Sequence, residues 1–288
     1  MTEITTPGLI ITDMDPDRYF EDPCPSPSLN QSLIRPLIRK SAYHAAHMHP
    51  RLNPYGSAPD TTRAMWLGSA VHRLALSRGK EISTIKYPDF RSSSARDARD
   101  LAIANGRIPI LEKELVWARD MAAVLRRKID EALDGAPYLT EVVVCWVEQT
   151  RYGPIWCRSM LDVVCQERKM ILDPKALSSD ATAEAFSKVS ANSGYDLQAV
   201  FYPRGMEQAS GAKRGSWRFA NLVVEQDPPH GAQSFKPDEA TKLTAEAVIA
   251  ESMELWGKCL HSNEWPSYPK GVQTYSTPGW HQAQIEKR

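Results

Sequence analysis

Absences narrow this 288-residue sequence before any motif does. Only five cysteines occur: Cys24, Cys145, Cys157, Cys165 and Cys259, odd in number and without paired spacing. A disulfide scaffold is thereby excluded, and free thiols in a reducing cytoplasm are expected. An iron–sulfur cluster is not expected either, because only Cys259 lies in the C-terminal third. No apolar run approaches the roughly 18–20 residues that span a bilayer, so no membrane association is expected. The opening Met-Thr-Glu-Ile-Thr-Thr-Pro has no basic segment ahead of an apolar core, and no secretory signal is expected. Net charge is missing too: 35 Lys and Arg balance 35 Asp and Glu. A nucleic-acid partner would therefore have to be held by local clusters of charge. There is no G-x-x-x-x-G-K-[ST] phosphate loop, no G-x-S-x-G elbow and no G-x-G-x-x-G. ATPases of that type, hydrolases with that nucleophile and dinucleotide folds lose their support. Internal repeats and low-complexity runs are absent as well.

What is present centres on residues 155–175. Two apolar runs are joined by the polar turn Gln166 to Lys169, the pattern of adjacent antiparallel strands. Side chains alternate along a strand. Arg158, Met160 and Asp162 should share one face of the first strand, and Cys157, Leu161 and Val163 the other. In the second strand, Ile171, Asp173 and Lys175 should point one way, and Met170 and Leu172 the other. Burying a charge on such strands is costly unless it is paired or bound to a metal. The spacing Asp–x10–Asp–x–Lys has a chemical reading. Asp162 and Asp173 would hold a hard divalent cation through oxygen. Lys175 would orient a water or stabilise charge developing on a phosphate. An Asp-x-Lys at a strand end is also the pattern of an ordinary surface ion pair.

The rest of the chain reads in order as follows. Residues 1–27, rich in Pro and Asp, suggest an extended lead-in. Ser28 can cap a helix from Leu29 to Lys40, kinked at Pro36. Ala42 to His49 is a second helix carrying His44, His47 and His49, a zinc-like spacing with no cysteine or carboxylate nearby to complete it. After a loop from Pro50 to Asp60, Thr61 or Thr62 starts a helix, Arg63 to Ser77, bearing His72 in Gly-Ser-Ala-Val-His. A hydrogen-bonded core histidine and a ligand are both open readings there. Residues 86–109 hold Lys86, Arg91, Arg96, Arg99 and Arg107 against three acids. Such a stretch either touches phosphates or is a solvated loop. Leu111 to Leu133 is a long amphipathic helix, and Thr140 to Glu148 is a strand. After Lys175, the run Ser178-Ser179-Asp180 can cap a helix near Ala181. A further helix follows Gly194, with Tyr195, Gln198 and Tyr202 on one face. Trp217 to Gln226 is a strand, Pro237 starts a long helix to Cys259, and Trp265 to Trp280 is an aromatic tail packed on the body.

Taken together these elements have a recognisable order: Gly-Ser-Ala-Val-His on a helix, a strand starting Thr-Glu-Val, Gly-Pro-Ile-Trp-Cys-Arg-Ser-Met-Leu-Asp, Ile-Leu-Asp-Pro-Lys, Gly-Tyr-x-x-Gln-x-x-x-Tyr, then Trp-Pro-Ser-Tyr and Pro-Gly-Trp. The sequence resembles the exonuclease VIII-like family of the PD-(D/E)XK nuclease superfamily, a phage and prophage group distantly related to phage lambda exonuclease. The resemblance covers residues 28–282 as a single nuclease domain, leaving a tail at 283–288. It implies an α/β fold with a restriction-endonuclease-like core, a central mixed sheet flanked by helices, and a metal site at one sheet edge. It implies a magnesium-dependent exonuclease, with manganese able to substitute, acting 5′ to 3′ from the ends of double-stranded DNA in phage-type recombination. The implied setting is the cytoplasm of a bacterial host. A homo-oligomer and a single-strand annealing protein are the implied partners besides DNA. By the same resemblance, His72, Asp162, Asp173 and the carbonyl of Pro174 are metal ligands, and Lys175 is the catalytic lysine. Gln198 and Tyr202 frame the site, and Glu141 matches an acidic family position. Lys86, Arg91, Arg96 and Arg99 are the candidate DNA contacts.

Two departures stand out. The family has Asp-x-Lys-Thr where this chain has Asp-Pro-Lys-Ala; Pro174 keeps a carbonyl but donates no ladder bond, and Ala176 lacks a hydroxyl. Two other readings use the same fold. A catalytically weak or dead module that holds DNA ends would bind without cutting. A sequence-specific endonuclease would cut closed circles.

Overall fold

The computed structural model describes all residues except 1–3, 5, 54, 57–60, 280 and 282–288. The expected tail at 283–288 and Trp280 lie outside the described residues. The chain opens with β1 (Leu9–Ile11), α1 (Pro16–Phe20), α2 (Gln31–Arg39), α3 (Ala42–Met48) and α4 (Arg63–Leu76). Next come β2 (Ile82–Ile85), α5 (Ser93–Ala104), β3 (Ile108–Leu111) and α6 (Glu112–Leu133). The central hairpin is built on β4 (Leu139–Thr150), β5 (Gly153–Cys165) and β6 (Met170–Leu177). The remainder is α7 (Ala183–Ser193), α8 (Tyr195–Ser210), β7 (Arg218–Glu225), β8 (Ala232–Phe235) and α9 (Glu239–Ser262).

A six-stranded mixed sheet, ordered β1-β4-β5-β6-β7-β8, divides the molecule into layers. Its pairs are antiparallel except β6–β7. A parallel pair needs a long crossover, and α7 and α8 supply it. One sheet face packs against α2, α3, α8 and α9 through Leu33, Ile34, Phe201, Met206, Ile249 and Trp256. The other packs against α4 and α6 through Val71, Met121, Leu125 and Ile129. The mixed sheet flanked by helices is the architecture that the resemblance implies. β2 and β3 form a separate parallel pair with α5 between them in sequence.

Several local expectations change. The 1–27 segment is not simply extended: β1 joins the main sheet beside β4, and Ile4 and Tyr19 are buried. Asn30, not Ser28, caps α2, because the Ser28 hydroxyl is bonded to Asp22 and Arg158. Thr182, not the Ser178–Asp180 run, caps α7. The basic 86–109 stretch contains α5 rather than forming a loop. The helical histidines are each committed elsewhere: His44 to Ser41, His47 to Asn53 and His49 to Asp22. In the tail, Trp265 packs on Trp256 and Tyr268 on His44, while Val272 and Tyr275 are exposed.

The seating of α8 on the sheet rests on a missing side chain. Gly205 faces the fully buried Trp146 of β4, and a Cβ there would lie 2.6 Å from the indole ring. Beside it, Arg204 and Glu148 form a two-pronged ion pair at 2.5 and 2.6 Å, and the Trp146 Nε1 donates to the same carboxylate. We expect Gly205→Ala to lose about 1–3 kcal/mol by overpacking, which outweighs the gain of under 1 kcal/mol or so in helix propensity. Urea unfolding would measure it; a more stable variant would show that α8 shifts at no cost.

Candidate active site

The sheet opens at its centre. β5 and β6 pair only through Val163–Leu172, Val164–Ile171 and Cys165–Met170. Continuing that register would set Asp162 opposite Asp173, but the pairing stops one step short of them. β6 runs on to Leu177 with β7 as its partner. The two carboxylates therefore stand where two neighbouring strands part. A proline at 174 costs no ladder bond on the β5 side there. Both carboxylates lie on the two middle strands of the sheet, whereas the resemblance implies a site at one sheet edge.

A second irregularity sits across from the first. Glu141 of β4 has a left-handed φ of +53°, unusual for a side chain with a Cβ. It stands opposite Asp162 in a register that is otherwise continuous, and neither residue is paired. The alternation of β5 changes phase here. Cys157 and Leu161 pack with α2 and α8, but Val163 packs with α4 and α6 on the other face. The expected sharing of one face by Cys157, Leu161 and Val163 fails at Asp162 for this reason. The kink brings Glu141 and Asp162 together under α4.

Around this opening the predicted residues converge. His72 of α4 has Nε2 3.2 Å from Asp162 Oδ1 and Nδ1 3.9 Å from Glu141 Oε1. Lys175 Nζ lies 2.6 Å from Asp173 Oδ2. The same ammonium sits over the Tyr195 ring, 5.1 Å from its centroid, a cation–π contact that restricts its swing. From the α8 side, Gln198 donates to the Tyr202 hydroxyl at 3.0 Å. Tyr195, Gln198 and Tyr202 thus share a face, as their spacing indicates. Asn221 of β7 was not foreseen: its Nδ2 donates to Asp173 Oδ2 at 3.0 Å. The available signal was one amide inside the apolar run Phe219-Ala220-Asn221-Leu222-Val223.

The charges set one another. Burial raises Asp173, Lys175 opposes this and Asp162 adds to it, so its carboxyl is pushed up to about 6. Asp162 is also penalised by burial, but His72, Lys175 and a bond with Asp173 outweigh that and hold it below its usual range. Burial would lower His72, yet Asp162 and Glu141 raise it overall. Lys175 is likewise raised, its burial outweighed by Asp173 and Asp162. Glu141 is pushed up, mainly by burial. Two neighbouring carboxylates with opposite shifts are the signature of like charges sharing one site.

This donor set suits a hard divalent cation in kind: two carboxylates, an imidazole and a backbone carbonyl beside them. Among the described residues no three His, Cys, Asp or Glu side chains converge tightly enough to hold an ion as they stand. The reason is visible in the pairing. Lys175 takes one oxygen of Asp173 and His72 takes one of Asp162. Metal binding would require Lys175 to loosen its hold on Asp173 and His72 to turn its nitrogen from Asp162 to the ion.

A family model described as a PDDEXK-like domain of unknown function (DUF3799) matches residues 31–277. The chain belongs to that family. Among solved structures, this PDDEXK-like domain is similar to a "putative exonuclease" from Eubacterium rectale, with a TM-score of 0.59 and 11% identity over 92% of this chain and 96% of that one. A phage-related exonuclease from Haemophilus somnus 129PT matches more loosely, with a TM-score of 0.30 and 12% identity over 67% of this chain and 95% of that one. At these identities the first likeness is one of fold, and nothing is drawn from the second. Comparison with curated proteins finds no match.

The basic residues sit on α5, just ahead of it and at the end of β2, on elements other than those that carry the carboxylates. Phe90 packs edge-on against Trp66 in the first half of α4, and His72 follows about 9 Å along that helix. Arg91 is paired with Asp89 and Arg99 with Asp100. Arg96 donates to the Arg91 carbonyl. Lys86 is exposed at the end of β2. The cluster is therefore partly neutralised within itself. Among the described residues no helix is long and apolar enough to cross a membrane.

Proposed function

We propose that the chain is a metal-dependent deoxyribonuclease, an exonuclease that hydrolyses phosphodiester bonds from the ends of double-stranded DNA, 5′ to 3′, in phage-type recombination. The observation that carries this reading is the pair Asp162 and Asp173 at the point where β5 and β6 part, with Lys175 against one and His72 against the other. Asp162, Asp173, His72 and the Pro174 carbonyl would hold the cation, magnesium or manganese. Such an ion supplies positive charge that neutralises a scissile phosphate and acidifies water. The chain's own groups do the rest. Lys175, whose ammonium form Asp173 and Asp162 favour, would orient the attacking water and screen charge growing on the phosphate. Tyr195 holds the lysine from below, and the Gln198–Tyr202 pair braces the α8 wall. Asn221 fixes the rotamer of Asp173. Glu141, next to His72, fixes the imidazole. The exposed Lys86, Arg91 and Arg96, with the half-buried Arg99, are the proposed phosphate track. Assembly into a homo-oligomer around DNA and delivery of the resulting strand to an annealing protein complete the proposal.

The test uses one plasmid, linearised with a label on either terminus or covalently closed. With magnesium we expect the linear form to be degraded with early release of the 5′ label, and the closed circle to survive. Rapid cutting of the closed circle would point to an endonuclease. Early release of the 3′ label would reverse the polarity. Tight binding of ends with no cutting in magnesium or manganese would leave the end-binding module.

His72 gives a sharper check. Its imidazole reaches Asp162 from another element. We expect His72→Ala to weaken metal affinity about 10–100-fold, with activity partly restored by excess manganese. Calorimetric titration showing parental affinity would remove His72 from the ligand set and return it to the role of a bonded core histidine.

A further inference from the structure

A second cavity, of about 590 Å³, lies on the α8 face of the sheet between α8, β7, β8 and the start of α9. Nothing in the hydrolytic reading uses it. Its walls combine aromatic rings with cations: Trp217, Phe219 and Phe235, beside Arg218, Lys236 and Arg214. Trp217 and Phe219 are buried, and Phe235 is braced by a stacked Phe186 ring with centroids 4.5 Å apart. The acids at this cavity are occupied. Glu207 accepts from the Trp217 backbone N–H at 3.1 Å, and Glu246 pairs with Arg214 at 3.2 Å. Two further lining cations are also spent, Arg204 on Glu148 and Lys242 on Glu239. Arg218 and Lys236 are different. Both are exposed, and among the described residues neither has a carboxylate partner; Arg218 donates only to the Arg168 carbonyl, at 3.2 Å. Among the described residues the buried Trp217 Nε1 also has no hydrogen-bond partner.

Flat apolar walls with two unspent cations at the rim suit a ligand with a flat apolar part and an anionic part. The volume lies in the range of small-ligand pockets. We propose that this cavity binds a nucleotide unit, its base against Trp217, Phe219 and Phe235 and its phosphate on Arg218 and Lys236. The placement adds a reason. Ala220 lines the cavity and is one strand position from Asn221, whose amide holds Asp173. The chemistry is the same for a released mononucleotide and for one unit of a single strand. The inference itself stands on the cavity lining and does not depend on hydrolysis.

The experiment is calorimetric titration of the full chain in EDTA, where cleavage plays no part. The probes are deoxyadenosine 5′-monophosphate, deoxyadenosine, and a five-nucleotide single-stranded oligo(dA). We expect saturable binding that weakens with salt, at least tenfold weaker for the nucleoside lacking phosphate. Arg218→Glu combined with Lys236→Glu should weaken it at least tenfold, while Asp173→Ala leaves it unchanged. Both charge reversals are at exposed positions, so folding is kept. Saturable monophosphate binding assigns the cavity to free nucleotide. Binding of the pentamer alone, with the same dependence on charge, assigns it to a strand. Absence of saturable binding by both the monophosphate and the pentamer overturns the proposal. So does binding that ignores the charge reversal or disappears with Asp173→Ala. None of these outcomes decides whether the carboxylates cut DNA.

Discussion

Asp173→Ala and Lys175→Ala are each expected to abolish DNA cleavage while leaving the fold intact. Removing one pre-placed donor that stabilises transition-state charge costs about 10²–10³-fold in rate, which is the floor expected for Lys175. Asp173 should cost more, because with it goes a carboxylate proposed to hold the cation. The stability side separates this reading from an ordinary structural ion pair. Breaking a buried pair that only supports the fold costs about 3–5 kcal/mol. Asp173 is different, since its carboxyl is pushed up to about 6 from 3.8. The native state then holds its proton more tightly than the unfolded chain does. Stability from this group falls as pH rises from about 4 to about 6 and stays low above that. Replacing it with the neutral isostere should remove that burden at pH 8, and Asn221 still has an oxygen to bond. We expect Asp173→Asn to melt no lower than the parent at pH 8 and to be without cleavage. Near-parental cleavage by Asp173→Ala or Lys175→Ala would refute the assignment. A drop of several kcal/mol in Asp173→Asn stability would mark the pair as structural.

Much of this arrangement is legible in the residues. Polar turns and apolar alternation give β5 and β6 with the turn at Gln166 to Lys169. The spacing of Tyr195, Gln198 and Tyr202 at helical intervals gives their shared face. The meeting of His72 with Asp162, about ninety residues apart in sequence, was drawn from the order of motifs, since no local pattern carries it. Other features were hidden for physical reasons. The parting of β5 from β6 depends on where backbone hydrogen bonds stop, which side-chain alternation does not report. The left-handed Glu141 looks like any acidic residue in a β-branched run, so the phase change at Val163 was invisible. The short strands β2, β3 and β8 have four residues each, too few for a period to emerge. Asn221 is one amide in an apolar strand, and no local pattern marks it as a partner of Asp173. The caps at Asn30 and Thr182 went to neighbours of the expected residues, and at α2 the cause is that the Ser28 hydroxyl was claimed by Asp22.

That partner sets up the largest expected loss of stability. Asp22→Ala should cost about 3–5 kcal/mol, the range for removing one member of a buried ion pair. The Asp22 side chain is fully buried and accepts from the Ser28 N–H at 2.9 Å and the Ser28 hydroxyl at 2.7 Å. Arg158 Nη1 lies 3.0 Å from one of its oxygens and His49 Nε2 3.0 Å from the other. Arg158 is itself buried, stacked 5.4 Å from the centre of the Tyr19 ring, and its Nε has no partner among the described residues. Without Asp22 a guanidinium would be left in the interior with no countercharge. Arg158 stands on β5 four residues before Asp162, so this cluster pins the N-terminal segment and α3 to the strand that carries the proposed site. The pH dependence has a definite sign. Burial works against the Asp22 carboxylate, but His49, Arg158 and Ser28 outweigh it and hold its pKa below 3.8. A depressed pKa means that the unfolded chain binds the proton more readily. The stability that Asp22 contributes is therefore complete above the unfolded value, near 4, and drains away as pH falls through the lower folded value. Urea unfolding of parent and Asp22→Ala should differ by several kcal/mol at pH 7, and the gap should narrow as the pH is taken below 4. A gap that is small at pH 7, or one that widens on acidification, would mean that Arg158 finds another countercharge and that Asp22 is not what anchors β5.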